Sequence, residues 1–227
     1  MAAPSQPQLV FVDGSFADLA QEMADYLNIG DEVKPLIEKD QKDEVLKKII
    51  IASPALNNQP EKEFTAAYNL LVYLVLQSEN LGQLLPRVCD NLSKPITSSP
   101  VNGTSLALNA LSNIFNQLAP DNALRYNVFG AIVRFVKQNG SFDAIKRYLP
   151  NLDAWFQQWK TDVDDQRKLY EQVAEAAQEA GDEKYAHSIS PLKSLCVVKN
   201  AVANNTPFLG PHTSIFSRLC AFSRRPS

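Results

Sequence analysis

Between Ser105 and Val136 two apolar patterns of helical period stand back to back, parted only by Pro120-Asp121-Asn122. In the first, Leu108, Leu111, Ser112, Phe115 and Leu118 recur at intervals of three and four, which lines them along one side of a 3.6-residue helix. Val128, Phe129, Ile132, Val133 and Val136 make a second stripe of the same kind. Pro120 stops the first helix, and Asp121 is placed to cap the second by accepting backbone N–H bonds. Helices joined by so short a break fold back antiparallel and bury stripe against stripe. The chain is therefore expected to be built from helical hairpins.

Its 227 residues, 45% of them apolar, suffice for a sizeable core and exclude disorder throughout. A net charge of −3 gives no general reason for nucleic acid or an anionic membrane as the main partner. The strongest apolar run, Leu70 to Leu76, stops far short of the roughly 18 residues of a spanning helix. Met1-Ala2-Ala3-Pro4-Ser5 has neither a basic start nor an apolar stretch, so no secretory signal is readable. With three scattered cysteines, this predicts a cytosolic or nuclear protein and no membrane partner.

Along the chain, Leu9 to Val12 is a short apolar patch, too brief to assign to a strand. Ser15 opens a helix, with Asp18 in capping-box position and Phe16, Leu19, Ala20, Met23, Ala24 and Leu27 on one face; Gly30 is expected to end it. Asp31 to Lys48 predicts one or two surface helices broken near Asp40. Asn57-Asn58-Gln59-Pro60 is expected to be a loop with Pro60 at the first helical position. Glu61 to Gln77 is helical at Phe64, Ala67, Tyr68, Leu71 and Val75, and a second apolar face at Leu70, Leu74 and Leu76 predicts cover on two sides. Leu81 to Leu92 is its return partner, and Ser93 to Pro100 the next loop. Asn139-Gly140 closes the central hairpin. Phe142 to Leu149 and Leu152 to Trp159 predict short helices, and Thr161 opens a long one that Gly181 ends. Hairpins thus recur near Glu61, Thr104, Ser141 and Asp182, roughly 40 residues apart as in helical solenoids, though no residue motif repeats with them.

Composition changes after His187. Ser188 to Ser227 holds no Asp or Glu, five Lys/Arg, two of the three cysteines and four prolines, leaving −8 on the first 187 residues against +5 on the rest. Residues 1–187 are accordingly expected to form the helical-repeat domain, and residues 188–227 a divergent, poorly ordered tail.

Few residues invite a chemical reading. Trp155 and Trp159 lie one turn apart, flanked by Leu152 and Phe156; packing between hairpins is the favoured role, a docking spot for a partner the other. His187 with Cys196, and His212 with Cys220, are too widely spaced for the usual zinc sites. Asp162, Asp164 and Asp165 could bind metal or serve as a base, but they open a helix, where negative charge is favoured anyway. Asn91, Asn102, Asn139 and Asn204 match the glycosylation pattern by chance. Lys146, Arg147, Arg218, Arg224 and Arg225 could touch phosphates, but lack interleaved aromatics and are expected to be solvated. No phosphate-binding Gly-rich loop, nucleophile elbow or His-Glu-x-x-His is present, so no catalytic residue, cofactor or metal is expected.

Leu111-Ser112-Asn113-Ile114-Phe115-Asn116, Arg125-Tyr126-Asn127-Val128-Phe129, Leu152-Asp153-Ala154-Trp155-Phe156-Gln157-Gln158-Trp159 and Arg167-Lys168-Leu169-Tyr170 occur in an order that resembles a family. It is that of the M subunits of eukaryotic translation initiation factor three, in a fungal variant. The resemblance covers roughly Pro7 to Ala186 and is strongest from Ser105 to Ala180. It implies a non-enzymatic, cytoplasmic scaffold of helical repeats leading into a winged-helix PCI domain. The partners that the resemblance implies are the other subunits and, through the complex, the small ribosomal subunit, where mRNA and initiator methionyl-tRNA are recruited; direct RNA contact stays open. A family member would continue its repeats past Asp182-Glu183-Lys184-Tyr185-Ala186-His187 and then carry the PCI domain, so a truncated product without that domain is expected here.

The sequence therefore predicts an all-α protein, a right-handed stack of antiparallel hairpins of HEAT or TPR type, acting as a structural subunit of that complex. A rival within the class is a scaffold subunit of another PCI assembly, the signalosome or the proteasome lid. A rival from another class is a small enzyme using Asp162 or His187.

Overall fold

The computed structural model describes residues 14–99 and 101–189, and these are helical with no strand among them. The ten principal helices are α1 (Phe16–Tyr26), α2 (Gly30–Glu38), α3 (Lys42–Ala52), α4 (Glu61–Leu76), α5 (Leu81–Leu92), α6 (Gly103–Gln117), α7 (Leu124–Gln138), α8 (Asp143–Lys146), α9 (Leu152–Trp159) and α10 (Val163–Glu179). Residues 183–189 are helical too. The patch at Leu9 to Val12 and the tail from residue 190 lie outside the described residues.

Two rows of helices pack on each other. In one, α1 touches α4 and α4 touches α6; in the other, α3 touches α5, α5 touches α7 and α7 touches α10. The turns of the hairpins α4–α5 and α6–α7 join the rows, so each hairpin covers its neighbour and the core runs on without a break. That continuity shows in α4, whose Phe64, Tyr68, Leu71, Leu74 and Val75 are all buried. Each such side chain contributes about 1.5–3 kcal/mol by leaving water. The expectation of an all-α helical repeat is borne out, and the central hairpin falls where its two stripes place it.

Carboxylates at the surface, exposed or half-buried, tie one hairpin to the next. Asp43 on α3 accepts from Ser78 Oγ at 2.6 Å and from Asn80 in the turn between α4 and α5. Glu61 at the start of α4 accepts from Ser99 Oγ at 2.6 Å and Asn102 Nδ2 at 3.0 Å, just before α6. Asp182 pairs with Lys146 of α8. These bonds hold all three carboxyls below their ordinary range. A buried network does the same inside: Tyr68 Oη donates to Asn57 Oδ1 at 2.8 Å, Asn57 Nδ2 to the Asn91 carbonyl at 3.1 Å, and Asn91 Nδ2 to the Ile50 carbonyl at 2.9 Å. It satisfies the polar groups of the 3-10 turn Ser53–Asn58, wedged between α4 and α5.

The boundaries differ from expectation where capping chemistry decides. The Ser15/Asp18 capping box is present, but α1 ends at Tyr26 because Asn28 takes a left-handed φ of 60°; Gly30 opens α2 instead of ending α1. The break near Asp40 is a second such residue, with φ 52°. Helix α3 is less superficial than its charge suggests, since Val45, Leu46, Ile49 and Ile50 are buried in the second row. Asn57 and Asn58 belong to the 3-10 turn, and Pro60 caps α4 from outside instead of standing at its first position. Leu74 is buried as the second apolar face of α4 requires, whereas Leu70 and Leu76 are half-buried. Asp121 is exposed and caps nothing; its neighbour Asn122 accepts from the Leu124 N–H at 2.9 Å. Likewise Asp162, not Thr161, caps α10, accepting from the Asp165 N–H at 2.8 Å. Gly140 (φ 61°) and Gly181 (φ 78°) do come after α7 and α10 in the left-handed conformation that ends helices.

Candidate functional site: an aromatic groove

The first stripe of the central hairpin is turned from its predicted setting. Ala107, Leu111, Ile114 and Leu118 face the core, while Leu108, Ser112 and Phe115 are half-buried at its edge. The next two helices are the reason. Helices α8 and α9 pack on α7, and a groove of about 740 Å³ opens between them and α6. Its floor is Phe129 and Ile132 of α7; its walls include Phe115 of α6, Tyr148 after α8, and Trp155 of α9.

The two tryptophans sit in different surroundings. Trp159 is 2% exposed and belongs to the core, whereas Trp155 is half-buried and lines the groove. They are joined through one aromatic cluster: Trp155 lies 5.4 Å from Phe115, 5.3 Å from Phe129 and 5.5 Å from Trp159, centroid to centroid. Offset and edge-on arrangements of this kind add about 0.5–1.5 kcal/mol per pair beyond area burial, so the groove wall is stiff. The indole Nε1 of Trp159 is buried without a hydrogen-bond partner.

Charge around the groove is sparse. Helix α6 lies in a charge-free run, residues 95–120, and lines the groove with Asn109, Ser112 and Asn116. Asp143 and Arg147 face it from the other side. The Arg147 guanidinium stacks 4.7 Å from the Tyr148 ring, and Tyr148 is 42% exposed. Arg125 stacks 4.6 Å from Phe115 and donates through Nη2 to the Leu118 carbonyl at 2.7 Å. This lining brings together no nucleophile and base. What it offers is apolar area with a polar, nearly neutral margin, the make-up of a protein interface.

The remaining candidates sit elsewhere. Asp162 caps α10, Asp165 accepts from Lys168 Nζ at 2.8 Å, and Asp164 pairs with Arg167. His187 is exposed in the helical residues 183–189, and no cluster of metal-binding side chains occurs among the described residues. Cys196, His212, Cys220, Asn204, Arg218, Arg224 and Arg225 lie outside them. Asn91 is buried in the polar network, and Asn102 and Asn139 bond to Glu61 and to the Phe135 carbonyl. Lys146 is paired with Asp182. Cys89 is buried in α5, and burial, with Asp90 adding, pushes its thiol up to about 12. The periodicity could not show the groove, since Leu108 and Phe115 look like core; the charge-free run from 95 to 120 was the available signal.

Two stacked rows of helices and a continuous core define an all-α helical-repeat protein. No protein-family profile matches the chain. Subunit M of eukaryotic translation initiation factor 3 from Chaetomium globosum is 56% identical over 178 residues, covering 78% of this chain and 42% of the relative. The subunit M of Pyricularia oryzae is 50% identical over 198 residues, with 86% and 46% covered. That of Coccidioides immitis is 41% identical over 231 aligned positions, with 86% and 49% covered. Over the matched residues the chain is similar to subunit M of eukaryotic translation initiation factor 3, as the resemblance indicated. It spans about half the length of the curated relatives it matches.

Proposed function

We propose that the chain acts as a structural subunit of the eukaryotic translation initiation factor 3 complex, in the cytoplasm, without catalysing a reaction. The observation that carries this reading is the 56% identity over 178 residues to a protein named as subunit M. The matched length is enough to take in most of the stacked hairpins, which offer a long surface for neighbours. Through the complex the chain would reach the small ribosomal subunit. No described helix is long and apolar enough to cross a membrane, in keeping with a partner set of proteins. The change of composition after His187 supports a boundary near there, with residues 1–187 as the body of the assembling unit, although the last described helix runs on to residue 189 and buries Ile189 in the core.

Affinity purification of this chain from a fungal lysate, with mass spectrometry of what accompanies it, tests the reading. Initiation factor 3 subunits should be enriched above all others. Enrichment of signalosome or proteasome lid subunits in their place would transfer the chain to another assembly.

A further inference from the structure

The groove beside α6 does not share the acidic excess of the body that carries it. Residues 1–187 hold 17 basic and 25 acidic side chains, yet the groove lining carries one guanidinium, Arg147, and one carboxylate, Asp143. Arg147 is exposed, is held in place by the Tyr148 ring, and makes no ion pair among the described residues. A guanidinium steadied on an aromatic ring at the lip of an apolar groove is well suited to receive a carboxylate. The wall from Leu108 to Asn116 runs about 12 Å at helical rise, two turns of α6.

We propose that this groove binds an amphipathic helix of a partner protein, apolar on the face laid against Phe115, Phe129 and Trp155, and acidic on the flank that meets Arg147. The inference rests on the scaffold reading above and specifies the chemistry of one neighbour. Apolar anchors at i, i+3 or i+4, and i+7 match a two-turn groove. Asn109, Ser112 and Asn116 serve the other flank, where amides and a hydroxyl accept polar groups without demanding charge. The chain's own terminal segments do not fit this occupant: residues 190–227 contain no Asp or Glu, and residues 1–13 contain Asp13 alone. A second copy fits no better, because the apolar stripes of α1, α5 and α10 are already buried in their own core.

Fluorescence anisotropy with the full chain tests this, using two labelled helical peptides about four turns long. Both carry Leu at the anchor positions; one has Glu along a flank and the other has Lys there. The chain should bind the Glu peptide about tenfold more tightly at low salt, the preference shrinking as salt is added. Arg147→Glu should invert the order. Tyr148→Ala removes apolar area and releases the Arg147 guanidinium, so it should weaken both peptides several-fold and narrow the preference for Glu. Both side chains are exposed, so unchanged thermal unfolding certifies the fold of the variants. Equal affinities, no binding, a preference indifferent to Arg147→Glu, or displacement of the peptide by polyuridylate would each overturn the proposal. Co-assembly with initiation factor subunits is scored separately. A chain that binds the Glu peptide but stays out of the complex overturns the subunit reading and upholds the groove; entry into the complex without charge preference does the reverse.

Discussion

Phe129 shows how much one side chain carries here. It is 3% exposed, forms the floor of the groove, and touches Phe115, Trp155 and Trp159. Phe129→Ala should cost about 3–5 kcal/mol in a denaturant melt, the usual range for a buried aromatic. A loss below about 1 kcal/mol would mean the ring is not part of the core. Asn57 makes a different case, because its amide links Tyr68 on one side to the carbonyls of Asn91 and Lys94 on the other. Asn57→Ala strands the buried Tyr68 hydroxyl, while the Asn91 carbonyl keeps the Lys94 N–H, and should cost about 1–3 kcal/mol, against a much smaller effect for its exposed neighbour Asn58. The comparison of the two variants by thermal unfolding separates buried polar satisfaction from loop composition.

At the scale of elements, α7 is the helix on which the others converge, and it carries a glycine in its interior. A Cβ placed on Gly130 would stand 3.8 Å from Gln172 Oε1 and 4.0 Å from Leu169 Cδ1, ordinary contact distances. Gly130→Ala should therefore raise stability by about 0.5–1 kcal/mol through the gain in helix propensity, read as a higher denaturation midpoint. Between elements the ties run through carboxylates, two of them held by neutral donors and one by Lys146. Asp43, Glu61 and Asp182 have folded-state pKa values below their ordinary ones, so their contribution is present above the unfolded values near 4 and is lost as pH falls through that range. The melting temperature should fall from pH 6 to pH 3. Glu61→Gln, which cannot titrate, should show a shallower fall, and an unaltered slope would mean the Ser99 and Asn102 bonds contribute nothing.

Which elements exist was legible because apolar spacing reports burial on each helix separately: α5 falls where the pattern puts it, from Leu81 to Leu92. Which residue caps or rotates a helix was less so. Asn122 and Asp162 stand one place from Asp121 and Thr161, and all four are residue types that can cap. The rotation of α6 depends on where α8 and α9 settle, a tertiary fact that no stripe on α6 can encode. The Asn57–Tyr68–Asn91 network escaped for the same reason, since its members are distant in sequence.

The whole molecule is a stack in which each hairpin is covered by the next, so its surface has long sides and a groove where α6 diverges from α8 and α9. On the proposed reading such a chain works by being held, and its half-length match to subunit M names the assembly in which to look. The most direct measurement is the fraction of this chain that co-sediments with the initiation factor 3 complex when expressed beside its other subunits. A majority in the complex peak, reduced several-fold by Arg147→Glu combined with Tyr148→Ala, is the result expected. A chain found wholly at the top of the gradient, folded but alone, would contradict it.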